Sequence, residues 1–441
     1  MKTGLERITN KSQADVNCRF TSLAHHLTDE LLASSLKYVR NNSCPGVDDE
    51  DVKTAKASFK EWSSELISQV HYKSYRPPPV KRVYLPKPGR TEKRPIGIPT
   101  VRDRVLQRSV SQILDSVYEP TFTQNSFGGR KGRSALNAVS SLKYTISSKK
   151  VSWVFEADLK NFFGSLDHGW LMTFVEHKIG DERILTLVRR WLKAGVMEGS
   201  ERMESTQGTP QGGSVSVVLS NIYLHYVLDI WFEKVVRPRM KGEAYLCRYL
   251  DDFVVCFQLC SDAVRFQQVL KKRLAKFKLE LEPSKTKLIA FGRFSERDHR
   301  LQGLKSPTIE FLGFCFYGFN HNTAGNYVVG LKTASSRLCR SMNSLKQKLI
   351  RCRHLPLRNQ RMIINAHLRG HLQYYGVPFN SRSLARLRRY AYKMWRKTLG
   401  RRSQKGKLTW KKYTTIVKYY PLLKLRLRFN NLTFQSLAME L

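Results

Sequence analysis

The chain has 441 residues, with 77 Lys and Arg against 35 Asp and Glu, a net charge of +42, and 41% hydrophobic residues. That apolar content excludes a disordered chain, and the length allows two to four packed subdomains. A charge this extreme points to a polyanionic partner, nucleic acid first, and its distribution sharpens the point: from Leu331 onward there are 27 Lys and Arg and one acid, Glu440.

No start resembling a signal peptide and no apolar run near the ~18 residues of a membrane span is read, so no membrane partner is expected. Eight cysteines without a C-x-x-C pair or a histidine cluster predict reduced, buried thiols in a cytosolic protein rather than zinc.

In chain order, Leu23, Leu27, Leu31, Leu32 and Leu36 predict one amphipathic helix. The Pro-Gly of Asn42 to Asp48 marks a loop, and a second helix is expected from Asp51 to Val70. Tyr75 to Lys87 reads as an extended segment entering a strand, and Ile96 to Pro99 as a second strand. Together they predict a two-stranded finger with Lys87, Lys93 and Arg94 near its tip. A helix follows over Arg102 to Val117.

Phe127-Gly-Gly-Arg-Lys-Gly-Arg133 is glycine-rich and basic, and reads equally as a phosphate-approaching loop or a flexible surface loop. Val151 to Asp158 is a buried strand ending in an acid, and Gln207 to Gly213 a tight loop before an apolar helix, Val215 to Phe232. Leu279 to Lys285 and Ile309 to Phe316 look strand-like. From Ser335 the chain is helical and basic, with further helices at Met362–Tyr375 and Ser383–Leu399.

The chemistry is expected at Arg248-Tyr-Leu-Asp-Asp-Phe253, where strand formers flank two adjacent acids, predicting two strands joined at a tight turn. Adjacent carboxylates repel, and a pair held rigidly needs a cation beside it. Magnesium suits, since it takes oxygen ligands and leaves room for waters and substrate phosphates. Asp158, at a strand end about ninety residues earlier, is able to join Asp251 and Asp252 across a sheet. Three acids so arranged support two cations ~3.5–4 Å apart that clamp an attacking and a leaving oxygen. Lys87 and Arg94 on the finger are candidate triphosphate clamps.

These motifs, in order, resemble the reverse transcriptases encoded by bacterial group II introns, from about Asn41 to about Pro421. The resemblance rests on Pro86-Lys87, Lys93-Arg-Pro-Ile-Gly-Ile-Pro-Thr100, Phe155-Glu-Ala-Asp-Leu-Lys-Asn-Phe-Phe163, Gly208-Thr-Pro-Gln-Gly-Gly213 and Ser220-Asn-Ile-Tyr-Leu224. It continues through Arg248 to Phe253, Phe311-Leu-Gly-Phe314 and the maturase-like Leu368-Arg-Gly-His-Leu-Gln-Tyr-Tyr-Gly-Val-Pro378, Trp395-Arg-Lys and Leu408-Thr-Trp410.

The resemblance implies an α+β right-hand polymerase: N-terminal extension and fingers over 1–150, palm with an antiparallel sheet over 151–330, helical thumb over 331–400 and a basic remnant over 401–441. It implies a magnesium-dependent RNA-directed DNA polymerase (two ions, manganese an alternative) that uses dNTPs, an RNA template and an RNA or DNA primer. A structured group II intron RNA is the further partner implied, through a maturase role in splicing and mobility. A bacterial cytoplasmic, nucleoid-associated location follows, and a homodimer is compatible.

Asp158, Asp251 and Asp252 match the metal ligands. Phe163 matches the steric gate against a ribose 2′-hydroxyl, with Phe162 beside it in the core. Gln211, Lys285, Lys87 and Arg94 match dNTP contacts, and Tyr249, Leu250, Phe311, Leu312 and Gly313 match primer-handling positions.

Departures from the family pattern are Leu250 for Ala, Gly129 and Lys131 for Phe and Pro, Gly164 for an acid and Val217 for Pro. No cysteine-bearing endonuclease domain is read before Leu441, so target cleavage is not expected. The alternatives are a freestanding, host-adapted reverse transcriptase in repair or phage defence, and a non-catalytic RNA-binding splicing factor.

Overall fold

The computed structural model describes residues 4–86, 93–198, 201–203, 207–208, 213–304, 306–320, 327–403 and 408–439. Helices α1 (Gly4–Ala14), α2 (Asp29–Lys37), α3 (Val52–Ala57) and α4 (Phe59–His71) lead to strands β1 (Val80–Pro86) and β2 (Lys93–Ile98). The single helix expected across Leu23 to Leu36 is instead a 3-10 turn, Ala24–His26, followed by α2. Asp181 causes the break, because its carboxylate accepts the N–H groups of Leu23 at 2.7 Å and Ala24 at 2.8 Å. Thr28 then caps α2 by accepting the Leu31 N–H. The helix expected over Asp51 to Val70 is also divided, at Ser58, where the Trp62 indole donates to the Ala55 carbonyl.

The finger hairpin forms with Leu85 opposite Arg94 and Pro86 opposite Lys93. Helices α5 (Val101–Tyr118) and α6 (Ala135–Ser148) follow, then β3 (Trp153–Ala157), α7 (Phe162–Ser165), α8 (His168–Glu176) and α9 (Glu182–Lys193). Strands β4 (Val196–Glu198) and β5 (Glu201–Met203) extend the finger sheet to the order β2-β1-β4-β5.

Next come α10 (Ser214–Leu224), β6 (Ala244–Tyr249), β7 (Asp252–Phe257), α11 (Cys260–Lys276), β8 (Lys287–Ala290) and α12 (Arg293–Leu301). The palm sheet has the antiparallel order β6-β7-β3-β8. Leu279 to Lys285 is not a strand as expected. It makes one bridge, Leu281 to Leu159, and then a 3-10 turn at Pro283, which has no N–H to give a ladder.

The palm strands alternate as a doubly covered sheet should. Phe155, Phe253, Val255 and Phe257 enter one apolar cluster with α8, α10 and α11, while Val154, Val254 and Cys256 enter another with α6. Each fully buried side chain of this size stabilises the fold by about 1.5–3 kcal/mol. A slip of one residue would exchange the two faces. The second cluster is shared with a separate sheet of β9 (Thr308–Phe311), β10 (Phe314–Asn320) and β11 (Tyr327–Thr333).

Helices α13 (Ser335–Arg351), α14 (Leu357–Tyr375), α15 (Ser381–Leu399) and α16 (Trp410–Tyr419) build the thumb around Leu345, Leu349, Ile364 and Trp395. The last helix, α17 (Asn431–Met439), returns to α6, where Asn137 donates to the Leu437 carbonyl at 3.0 Å and Ser140 to that of Phe434. This is the α+β right-hand architecture.

Two further expectations need correction. Ser214–Arg239 is one continuous helix of 26 residues, long and apolar enough to cross a membrane, but 78% of its apolar window is buried inside the protein. It is the central helix of the palm core. All eight cysteines are free, yet Cys44, Cys260 and Cys339 are exposed rather than buried.

That long helix contains π turns at His225–Asp229 and Phe232–Val236. A π turn adds a residue to the helical repeat and re-aims the side chains around it. Here Asp229 meets Arg248 of β6, both with no solvent exposure. Arg248 Nε and Nη2 donate to the Asp229 carboxylate at 2.7 and 2.6 Å, and Nη2 also to Ser126 Oγ at 2.7 Å. Nη1 donates to Asn221 Oδ1 and to the Leu250 carbonyl, each at 3.1 Å.

Removing one partner of a buried ion pair strands the other charge. Arg248→Met and Asp229→Leu should therefore each lower stability by about 3–5 kcal/mol, and the double variant by less than the sum. Urea denaturation midpoints check this. Strictly additive losses would show that the pair is not coupled.

Candidate active site

Tyr249 pairs with Asp252, leaving Leu250 and Asp251 as the two residues of a hairpin turn. Leu250 sits at φ +55, a left-handed conformation that costs a side-chain-bearing residue about 1–2 kcal/mol. The turn is held from behind. Its Leu250 carbonyl is bound by Arg248, and Gly128 packs so close that a Cβ there would lie 2.6 Å from the Leu250 nitrogen. The 127–133 segment is therefore a fixed support rather than a free surface loop. Arg130 within it is buried, bonded to Glu119 and to the carbonyls of Thr123 and Ser126.

Asp158 follows β3 directly, and β3 lies beside β7 in register. The three acids open into one cavity of about 1040 Å³. Its other walls include Arg94 of the finger hairpin, Lys285, the Phe311-Leu312-Gly313 turn, and Arg337 and Arg340 of α13.

Burial raises the Asp251 carboxyl, and Asp158 adds to this while Lys285 and Arg94 oppose it. Asp252 reaches solvent at the cavity, yet desolvation, the charges of Asp251 and Asp158 and hydrogen bonding to Asp158 push it up to about 7. Lys285 ion-pairs with Asp158. The cluster therefore carries more negative charge than the protein around it stabilises, and one lysine already leans on it.

A magnesium site fits this donor set. Among the described residues no three Asp, Glu, His or Cys form a closed ligand group. Magnesium is ordinarily held by one or two carboxylates, waters and substrate phosphates rather than by an all-protein cage. An open set of acids facing cationic walls provides that.

The other expected residues fall as follows. Lys87 and Gln211 lie outside the described residues. Phe163 is half-buried against the palm core, edge-on to the buried Phe162 at 5.4 Å, and does not line the cavity. Tyr249 packs in the second apolar cluster, and Leu250 leans over Gly128 and Gly129 instead of into the cavity.

Three of the family departures are neighbours. A Cβ on Gly129 would collide with Val217 Cγ1 and stand 3.4 Å from Leu250 Cδ2, so the two larger side chains fill the space above the glycine. A side chain on Gly164 would meet the Asn161 amide.

Sequence reasoning passed over Glu156, Glu310 and the polar face of α13 (Arg337, Arg340, Asn343, Ser344 and Gln347), all of which line the cavity. Helical spacing between the buried Leu338, Leu345 and Leu349 was the available signal for that face. Arg248 stands in the sequence only as the first residue of the Arg248–Phe253 motif, with no local sign of its buried partners.

A family model described as Reverse transcriptase (RNA-dependent DNA polymerase) matches residues 85–316. Group II intron-encoded protein LtrA of Lactococcus lactis subsp. cremoris is 35% identical over 229 residues, 50% of this chain and 37% of that protein. Protein YkfC of Escherichia coli is 32% identical over 239 residues, 48% of this chain and 62% of that protein. Nuclear intron maturase 3, mitochondrial, of Arabidopsis thaliana is 25% identical over 198 residues, 40% of this chain and 27% of that protein. The matches thus span less than two thirds of each of these relatives. With the family match running over more than half of the chain, from the finger hairpin through the palm to β10, the protein belongs to the reverse transcriptase (RNA-dependent DNA polymerase) family.

Proposed function

We propose that this protein extends a primer 3′-hydroxyl with dNTPs on an RNA template, and that its thumb also binds a structured RNA of group II intron type. The carrying observation is the opening of Asp158, Asp251 and Asp252 into one cavity that Arg94, Lys285, Arg337 and Arg340 also line. Asp158, Asp251 and Asp252 would hold two magnesium ions. Those ions, when bound, would lower the pKa of the attacking hydroxyl and offset charge on the triphosphate and leaving pyrophosphate.

The chain's own residues do the rest by position and charge. Lys285 exchanges its carboxylate partner for a phosphate oxygen, and Arg94 approaches the triphosphate from the fingers, with Lys87 and Gln211 as further dNTP contacts. Arg337 and Arg340 offer guanidinium groups to the duplex backbone, and the turn at Phe311 to Gly313 sets the primer. Phe163 is assigned the exclusion of the 2′-hydroxyl. For that role its ring has to swing toward a bound nucleotide, since at rest it packs against the palm core.

Support for an RNA partner comes from charge. No described residue after Glu310 is acidic, so helices α13–α15 carry a large excess of positive charge. Backbone phosphates of an A-form duplex or folded RNA supply the counter-charge, with salt-dependent affinity. The names of LtrA and Nuclear intron maturase 3 point the same way for the maturase role. The packed set of Leu250, Val217 and Gly129 favours a second reading, a freestanding reverse transcriptase with altered primer handling.

Primer extension on an RNA template with magnesium tests the central reading. The wild type should incorporate dNTPs, chelation should abolish incorporation, and Asp251→Ala should lower it at least about a thousandfold. Metal charge stabilisation is worth several kcal/mol, and each ~1.4 kcal/mol is tenfold in rate. Equal activity of Asp251→Ala would overturn the proposal.

In the same assay Phe163→Ala should raise rNTP use relative to dNTP by about 10–100-fold, the scale of discrimination by pocket shape. An unchanged ratio removes the gate assignment and leaves Phe163 as a core residue. RNA co-purifying from native cells decides the partner: one dominant structured RNA flanking the coding region supports the maturase role, and a diffuse mixture supports the freestanding one.

A further inference from the structure

Side chains two residues apart on a strand share a face, so Glu156 looks the same way as Asp158, toward the sheet of β9–β11. Among the described residues that sheet has no backbone ladder to the palm sheet. Glu156 nevertheless reaches across: the Glu310 N–H donates to its Oε1 at 2.6 Å. Glu310 directly precedes Phe311-Leu312-Gly313, the turn that borders the cavity, and Glu156 lines the same cavity.

The turn needs outside support. Leu312 stands at φ +48 and Gly313 at φ +81, so a residue with a side chain is held in the left-handed region. At its crest the Tyr374 hydroxyl of α14 donates to the Leu312 carbonyl at 2.8 Å, and the Ala334 N–H donates to the Gly313 carbonyl at 3.0 Å. At its foot the contact from the palm is the Glu156 carboxylate, on the strand that carries Asp158.

We infer that Glu156 is a positioning residue, which sets the Phe311–Gly313 turn at a fixed distance from Asp158 and thereby aligns the primer end with the carboxylates. The inference rests on the polymerase reading above for its functional half. Its structural half stands alone, as one side chain joining two sheets. An acceptor oxygen is what the contact requires, so Gln serves in place of Glu and Ala does not.

The test uses the full chain with an RNA template and DNA primer, and compares wild type, Glu156→Gln, Glu156→Ala and Tyr374→Phe. Misplacing reacting groups by about 1 Å costs up to about 100-fold in rate. Glu156→Ala should therefore lose about ten- to a hundredfold in kcat. Its KM for dNTP and its denaturation midpoint should stay near wild type, and Glu156→Gln should recover to within a few fold. Tyr374→Phe, which frees the turn from the other side, should lower kcat in the same sense.

Amide hydrogen exchange gives a readout independent of catalysis, with Glu310 and the turn exchanging faster in Glu156→Ala than in wild type or Glu156→Gln. Unchanged exchange, or a kcat for Glu156→Ala equal to wild type, overturns the inference. So does a loss that Glu156→Gln fails to rescue. A wild type that extends no primer overturns the polymerase reading instead, and the exchange result then decides the bridge by itself.

Discussion

One guanidinium, sealed from solvent, ties together the parts of this protein that carry its chemistry. Arg248 gives its donors to Asp229 of the long palm helix, Ser126 beside the glycine pair, Asn221, and the Leu250 carbonyl of the strained turn. A charge removed from water is tolerated only with nearly complete pairing, so these partners have to arrive together. Loosening any of them would leave the turn free to relax out of its left-handed conformation. The π turn that aims Asp229 and the glycines that clear room for Leu250 belong to the same arrangement.

Electrostatics divides the molecule in the opposite sense. Carboxylates that repel one another are gathered at one end of the palm sheet, and the guanidinium groups of Arg94, Arg337 and Arg340 stand across the cavity. Neither group is at rest alone. Lys285 resting on Asp158 and the raised Asp252 carboxyl are how the chain accommodates its acids by itself. On the proposed reading each side is complementary to a component of a polyphosphate–metal substrate, and loading would relieve both.

Much of this was readable from local pattern. The Tyr249–Asp252 hairpin, the strand before Asp158, the finger hairpin and the thumb helices all announce themselves through strand formers, turn acids or heptad-like leucines. Most of the failures come from side-chain contacts that local periodicity does not register. Leu23 to Leu36 has good helical spacing, but a carboxylate at position 181 takes the amides that would continue the helix. Ser58 breaks a helix because an indole claims a carbonyl. Glu156 looked like one more polar residue in a strand, since its partner lies at position 310. The continuous helix through Phe232 to Arg239 was also missed, because charged residues at its end hid a path through the core.

The docking of α17 against α6 bears on how the protein is made. Phe434 is fully buried in the cluster that also contains Phe127, Leu136, Val139 and Val254, and Lys143 of α6 lies over the rings of Phe379 and Phe434. During synthesis the ribosome delivers α6 and all four palm strands long before residue 434. Until then this side of the palm lacks part of its covering, and a wet apolar face is open to misassociation. Completion of this core thus waits on a helix made long after the palm it covers. A nascent chain stalled in the thumb would hold its acids and its hairpin but lack a finished core beneath them.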